Sequence, residues 1–367
     1  MINFRMLKKK FIQGICLQGI NHRRGSMGLL KRRKVFNETN MDLNSFVNIL
    51  LCSDKNVIRG LGVTIVSIFE NISKPCAVHI AFNGNLPETE ESHFQELAKK
   101  YDAPIYFYWI DDTDIRSFHS NTYITKTAYY RLLLPYVLNE SGITRCLYLD
   151  TDIICINDIN SWYHQNLSNY IAYVTKDATA VPDLREKKTC KEIGMKGTQY
   201  FNSGMMLINI PAYVRYDAGY KAMKLCSEKN FEAMDQDVLN IVLEGHVHFD
   251  NSYAYNCAMS VLNKEVPDRI YLIHFTGAKK PWRVCVSELD EHTCSLGDKR
   301  SWRYKYYRLW REYASISPWK NEPFTEPGNY TEWRYFSMVC LKNGRFLKAL
   351  RLYCKYISSK LHAKSAR

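Results

Sequence analysis

Residues 145–158, RCLYLDTDIICIND, decide how this chain is read. A short apolar run, Cys146-Leu147-Tyr148-Leu149, leads straight into Asp150-Thr151-Asp152, and a second apolar run, 153–156, follows at once. The first run has the length and content of a buried strand. Two carboxylates one residue apart, between segments that favour burial, repel each other, and burying them unpaired is costly. A hard divalent cation such as Mg²⁺ or Mn²⁺ removes that cost, because oxygen ligands suit it. A bare D-x-D is short, however, and by itself is more often an Asp-rich turn with both side chains in water.

The segments around it shift the balance. Upstream, apolar runs at 47–52, 78–82 and 105–110 predict strands. Helical patterns begin near residue 62, cover 88–101 and then 127–138, the last containing Arg131. With 146–149 this is β-α-β-α-β-α-β over about a hundred residues, which implies a largely parallel sheet with helices on both faces. Such sheets bind ligands at the carboxyl ends of their strands. The first strand ends at Asp54 and Asn56 and the fourth at Asp150 and Asp152, so these loops are expected to share one face. Neither G-x-G-x-x-G nor G-x-x-x-x-G-K-S/T is present, which excludes the usual glycine-rich phosphate cradles. A metal on the aspartates remains the obvious way to hold a nucleotide diphosphate.

Downstream, strands are expected at 171–175, leading to Asp177, at 205–210 after Tyr200-Phe201-Asn202-Ser203-Gly204, and at 271–274, ending in His274. Pro211 opens a helix, and Asp235-Gln236-Asp237 opens another with acids at its start. From about residue 303 the chain turns aromatic and basic. A Pro-punctuated linker, 323–327, precedes helices at about 330–341 and 345–360. The expected division is a basic N-terminal extension without fixed structure (1–44), a catalytic domain (45–300) and a helical C-terminal region (301–367).

Composition agrees with a globular protein: 367 residues, 46% hydrophobic and 24% charged. The net charge of +13 is concentrated at the ends, with +10 in residues 1–34 and +8 in 331–367, leaving −5 between them. Basic ends on a mildly acidic body favour an anionic surface, a membrane before nucleic acid, since no reading motif or stacking platform accompanies the charge. The twelve cysteines are scattered without a C-x-x-C pair, as in a reducing cytosol. No apolar run reaches membrane-spanning length, and the segment after Lys8-Lys9-Lys10 is too broken by Gln and Gly for a signal peptide. Met27 and Met41 offer alternative starts that would remove much of the basic N-terminus.

Six segments, ILLCSDKN (49–56), AYYRLLLP (128–135), YLDTDII (148–154), YFNSGMMLINI (200–210), DQDVLN (235–240) and HFTGAKKPW (274–282), together resemble the family 8 retaining glycosyltransferases of GT-A fold, in that family's order and rough spacing. The tail from SPWKNEP onward resembles the bacterial lipopolysaccharide core glucosyl- and galactosyltransferases of the family. The resemblance implies a Rossmann-like, mostly parallel α/β sheet. It also implies a donor, UDP-glucose or UDP-galactose, and a cofactor, Mn²⁺ or Mg²⁺, on Asp150, Asp152 and His274. Cys52, Asp54 and Asn56 would line the uridine and ribose pocket, with Cys52 giving backbone or shape rather than thiol chemistry. Thr151 belongs to the same donor site. Arg131, Asp177, Asn202, Asp235 and Gln236 match positions that hold the donor hexose. Gly277 and Lys280 would meet the phosphates, by close backbone approach and by positive charge. Lys279 and Trp282 are assigned solvated and packing roles.

Taken singly, His274 is more often a core histidine, Arg131 a helix-surface charge, Asn202 a turn residue and Asp235 a helix cap. The catalytic set implied is Gln236, Asp177 and Asp235. Retention can proceed by double displacement through a carboxylate or by attack on the face from which UDP leaves. An amide is a poor nucleophile, so Gln236 beside the sugar favours the second. The expected acceptor is a saccharide or lipid-linked glycan on the inner face of the cytoplasmic membrane, met by a cytoplasmic, peripheral protein. A cationic, amphipathic helix over 345–360 would touch that surface, or would simply pack on the body with a charged outer face. The competing readings are a self-glycosylating, glycogenin-like primer protein and a non-catalytic UDP-sugar or glycan-binding protein on the same fold.

Overall fold

The computed structural model describes residues 28–118, 126–177, 184–259, 267–277, 279–287 and 302–365. Its strands are β1 (Leu30–Phe36), β2 (Val47–Asp54), β3 (Cys76–Asn83), β4 (Ile105–Ile110), β5 (Arg145–Leu149), β6 (Ile153–Cys155), β7 (Ala172–Lys176), β8 (Phe201–Asn209), β9 (Val247–Asp250), β10 (Cys257–Ala258) and β11 (Leu272–His274). The main sheet runs β1-β4-β3-β2-β5-β8-β7-β9. Its centre, β4-β3-β2-β5, is parallel, and β8 lies antiparallel to both β5 and β7. Alternation along β2 sends Ile49 and Leu51 into one hydrophobic layer and Leu50 and Cys52 into the other, so helices cover both faces.

The aspartate segment does not continue the main sheet. After Leu149 the chain turns and β6 joins a small sheet, β10-β11-β6. The register there pairs His274 with Ile153, which carries the histidine to the Asp150–Asp152 turn. Helix Ile58–Asn71 holds this departure in place with polar residues on its buried side. Thr64 Oγ1 donates to the carbonyls of Thr151 (3.0 Å) and Ile153 (2.7 Å), Ser67 Oγ accepts from Cys155 N (2.9 Å), and Asn71 Nδ2 donates to Cys155 O (3.1 Å). Backbone groups that the main sheet leaves unpaired are thereby satisfied.

Two expectations are corrected. Residues 30–36, assigned to an extension without structure, form β1, which pairs antiparallel with β4; Arg32 stacks on Trp109 at 3.6 Å. A strand so basic suits an edge, where charge blocks further pairing. The first 27 residues of that extension lie outside the described residues. The helix expected over 127–138 is broken: Lys126–Leu132 is a 3₁₀ helix and Leu134–Glu140 an α-helix, with Pro135 in the first turn of the second.

Trp319, 0% exposed, fills the space over Gly62, where a Cβ would sit 2.2 Å from the indole. Its Nε1 donates to Glu90 at 2.7 Å. Trp282 covers Gly60 in the same way, with 2.9 Å to a Cβ there. The segment after helix Trp302–Ile316 thus packs on the main body, while helices Tyr330–Lys342 and Phe346–Ser365 form a hairpin beyond it. Among the described residues no helix is long and apolar enough to cross a membrane.

Candidate active site

The end of β5 places Asp150, and the β11 register brings His274 to it. One ligand atom from each of Asp150, Asp152 and His274 lies within 4.8 Å of the others. His274 Nε2 stands 3.2 Å from Asp152 Oδ1 and 3.8 Å from Asp150 Oδ2. On the far side of the ring, Nδ1 is 2.9 Å from Asn256 Oδ1. An amide oxygen only accepts, so Nδ1 carries a proton, which leaves Nε2 as the nitrogen that would offer its lone pair to a metal. Gly204 keeps the space open: a Cβ there would lie 2.4 Å from His274 Cε1 and 2.6 Å from Asp150 Oδ2. Two oxygens, one imidazole nitrogen and a cradle that a single methyl would fill suit a divalent cation.

Each carboxylate has its own support. Asp150 Oδ1 accepts from Tyr148 Oη (2.5 Å) and Arg131 Nη2 (2.9 Å). Asp152 is ion-paired to Lys280, whose ammonium also donates to Phe275 O at 2.9 Å. Burial pushes the Asp152 carboxyl up, but Lys280 and His274 more than offset it and hold it well below the usual carboxylate range. Gly277, between His274 and Lys280, has φ +82°, a backbone conformation that requires glycine.

Arg131 is 8% exposed and bonded through every nitrogen. Nε donates to Ala128 O (3.0 Å) and Nη1 to Ser203 O (3.0 Å), while Nη2 holds Asp150. Asp235 Oδ2 lies 3.0 Å from Nε, held by charge because that N–H is engaged with Ala128. Burial works against the guanidinium charge, and Asp150 and Asp235 more than restore it. Burial raises the Asp235 carboxyl against the pull of Arg131. Asp235 is therefore no helix cap: Met234 occupies that position, at φ 49°, and Asp235 is the buried counter-ion of Arg131.

Gln236 is held at both ends of its amide. Oε1 accepts from Ser203 N (3.1 Å) and Asn202 Nδ2 (3.2 Å), and Nε2 donates to Asp177 Oδ2 (2.9 Å) and Tyr200 Oη (3.2 Å). Asn202 Oδ1 in turn accepts from Asn256 Nδ2 at 2.9 Å. One chain of hydrogen bonds thus runs from His274 through Asn256, Asn202 and Gln236 to Asp177. On the neighbouring loop, Asp54 accepts from Asn56 N (2.8 Å) and Thr127 Oγ1 (3.3 Å), tying the end of β2 to the segment that bears Arg131. Cys52 is buried, and burial pushes its thiol up, so it stays protonated. Thr151 enters the network through its carbonyl, which accepts from Thr64.

The sequence reading did not single out Tyr148, Asn256, Tyr200 or Gly204 for roles. Tyr148 stands two residues before Asp150 on the same strand face, a signal that period-two alternation carries. Asn256 had no such signal, because only the pairing of β10 with β11 brings it to His274.

The profile described as glycosyl transferase family 8 matches residues 48–285, and that of the family's C-terminal region matches 304–360. Lipopolysaccharide glucosyltransferase WaaO of Escherichia coli is 29% identical, over 87% of this chain and 92% of its own. Lipopolysaccharide 1,3-galactosyltransferase of Salmonella typhimurium is 27% identical, over 86% and 91%. The crystal structure of the galactosyltransferase LgtC with donor and acceptor sugar analogs superposes with a TM-score of 0.60 at 20% identity, over 79% of this chain and all of that one, and shares the fold. With the larger profile spanning more than half of its length, the chain belongs to glycosyl transferase family 8.

Proposed function

We propose that this enzyme is a retaining hexosyltransferase that moves glucose or galactose from its UDP carrier to a hydroxyl of lipopolysaccharide or another cell-surface glycan. The observation that supports it most is the continuous network joining the Asp150, Asp152 and His274 cluster to the Gln236–Asp177 pair. In this reading the network links the residues that would hold the diphosphate to those that would hold the sugar. Relatives whose names specify lipopolysaccharide glucosyl and galactosyl transfer support the acceptor class. The setting we propose is the cytoplasm, at the inner face of the cytoplasmic membrane.

When bound, Mn²⁺ or Mg²⁺ on Asp150, Asp152 and His274 would neutralise charge building on the UDP leaving group. Arg131 and Tyr148 fix the Asp150 carboxylate, and Lys280 adds a positive charge at the phosphate end. Arg131 acts as a positioning residue, since its nitrogens are bonded within the protein. Asp54 and Asn56 present the nucleoside edge of the pocket. The acceptor hydroxyl attacks the anomeric carbon on the face from which UDP departs. The new glycosidic C–O bond forms as the C–O bond to the β-phosphate breaks, and a β-phosphate oxygen takes the hydroxyl proton. Gln236 steadies the oxocarbenium-like sugar. Asp235 is unsuited to nucleophilic attack because it is 2% exposed and ion-paired to Arg131.

The test is UDP release from a panel of UDP-sugars, with and without Mn²⁺, with lipopolysaccharide precursor as acceptor. Metal-dependent turnover of UDP-glucose or UDP-galactose, lost in Asp152→Ala, supports the reading. Failure of every donor to bind or turn over would overturn it. A covalent glycosyl-enzyme on Asp177 or Asp235, seen by intact mass in single turnover, would replace same-face attack by double displacement.

A further inference from the structure

A second set of metal-type ligands shares no residue with the aspartate turn. Helix Glu88–Lys100 carries Glu90 and His93, and Glu322 follows Trp319 in the segment that packs on the body. One ligand atom from each of the three lies within 4.8 Å of the others. The Glu-x-x-His spacing puts Glu90 and His93 on one face of their helix. Glu322 arrives from the other end of the chain, placed by a turn in which its N–H donates to Trp319 O at 3.1 Å. Trp319 Nε1, 2.7 Å from Glu90 Oε2, orients that carboxylate. The His93 ring meets the indole edge-on, with centroids 5.2 Å apart and planes at 68°. His93 Nδ1 is buried without a hydrogen-bond partner and stands 3.6 Å from Glu90 Oε2. A buried ring nitrogen left so is costly and calls for an explanation.

Seating Trp319 accounts for only one of these three side chains. Glu90 is the acceptor of the indole N–H, but neither Glu322 nor the buried nitrogen of His93 is used by it. Two half-buried carboxylates brought together repel each other. Burial and Glu90 raise the Glu322 carboxyl above its ordinary value, against the pull of Arg59 and His93. Arg59 offsets the repulsion only in part, since its Nη1 is engaged with Pro323 O at 2.9 Å. A divalent cation satisfies both carboxylates and the imidazole at once. Ligands about 2.0–2.1 Å from a tetrahedral Zn²⁺ sit roughly 3.3–3.5 Å apart, and the 3.6 Å between His93 Nδ1 and Glu90 Oε2 is close to that edge. We propose that Glu90, His93 and Glu322 bind a divalent cation of the Zn²⁺ class, with water in the fourth position, as a clamp between helix Glu88–Lys100 and the Trp319 segment. The clamp holds Trp319 over Gly62, two residues before Thr64, which supports the aspartate turn. This goes beyond the proposed transfer reaction and does not depend on it.

The test is calorimetric titration of Zn²⁺ into the full chain carrying Asp152→Ala, in which the cluster at the aspartate turn lacks a ligand. One Zn²⁺ is expected to bind. Adding Glu322→Gln or His93→Gln removes a ligand and should weaken binding by at least the about 10–100-fold that loss of a ligand's supporting partner costs. Urea unfolding of the same proteins gives an independent reading. Without metal, Glu322→Gln is expected to match or exceed its parent in stability, because the charge beside Glu90 is gone. With Zn²⁺ in excess the order should reverse, since only the parent gains from binding. Absence of saturable binding, or an affinity that neither added substitution changes, would overturn the proposal. So would a urea midpoint order that Zn²⁺ leaves unaltered, since a protonated His93 between the two carboxylates would then replace the metal. Neither readout involves donor turnover, so failure here leaves the proposed reaction standing, and failure of every donor leaves the clamp standing.

Discussion

His274 Nδ1 donates to Asn256 Oδ1 across 2.9 Å, and this bond fixes which face of the imidazole the two aspartates meet. Asn256 is 2% exposed and also donates to Asn202. In Asn256→Leu the ring loses the acceptor that selects its tautomer, and Mn²⁺ affinity is expected to fall about 10–100-fold. In Asn256→Asp an acceptor remains for Nδ1–H but the donor to Asn202 is lost, so metal affinity should hold while turnover drops. Titration of Mn²⁺ by calorimetry, with no donor present, checks the first effect. Wild-type affinity in Asn256→Leu would show that His274 is not a ligand or that its tautomer is set elsewhere.

Gly204 is the companion constraint. A methyl at this position would collide with His274 and Asp150 and force the cradle apart. Gly204→Ala is expected to lower kcat/KM about 100-fold, the usual scale for a displacement of an ångström in a reacting site. Overpacking of this kind also costs about 1–3 kcal/mol of stability, so the thermal midpoint should fall as well. A stable, fully active Gly204→Ala enzyme would mean that the space beside His274 is not used.

How much of this was legible beforehand follows from where the information lies. β2, β3, β4 and β5 are buried apolar runs between turn residues, so period and burial reveal them. The aspartates at the end of β5 announce themselves by conflict with their surroundings. β1 was missed because its residues are mostly basic and its burial comes late, at Phe36. Asn256 was missed because the crossing of two short strands, and no local pattern, sets it beside His274. Arg131 could be placed near the site but not aimed. Its direction depends on the 3₁₀ turn that ends at Leu132, which the helical pattern conceals.

Gln236 tests the sugar end. Gln236→Ala removes the amide that joins Ser203 N and Asn202 to Asp177. If it stabilises charge on the sugar only as the bond breaks, kcat should fall about 100-fold while KM for the donor changes little. Steady-state kinetics with saturating Mn²⁺ separates the two parameters. A rise in KM at constant kcat would reassign Gln236 to ground-state binding.

His79 predicts the acid limb of stability. It is 0% exposed on β3, bonded to Tyr108 Oη and Asn48 Oδ1 at 3.0 Å each, and burial lowers its pKa to about 3. Between pH 6.5 and that value the unfolded chain binds the proton and the folded one does not. Stability is therefore full above the unfolded pKa and falls as pH drops, by up to about 1.4 kcal/mol per unit. His79→Gln keeps a hydrogen-bonding side chain without the titration. Its urea midpoint should depend less on pH between 6 and 4 than that of the wild type. Parallel profiles would show that the folded protein accommodates the protonated ring.

Trp319 and Gly62 make the case that the segment after helix Trp302–Ile316 is part of the catalytic body. The indole packs on Phe94 with ring centroids 5.0 Å apart, bonds Glu90 and occupies the notch that Gly62 leaves. Trp319→Ala should cost about 3–5 kcal/mol, the usual cost of truncating a buried Trp. Gly62→Ala in the wild type should also destabilise, because its methyl would meet the ring at 2.2 Å. In the Trp319→Ala background the same Gly62→Ala change meets an empty notch and gains helix propensity, about 0.5–1 kcal/mol. Its sign should therefore reverse. Urea unfolding of the four proteins gives the coupling directly. If Gly62→Ala costs the same in both backgrounds, the indole does not sit in that notch, and the segment is an appendage rather than a wall of the fold.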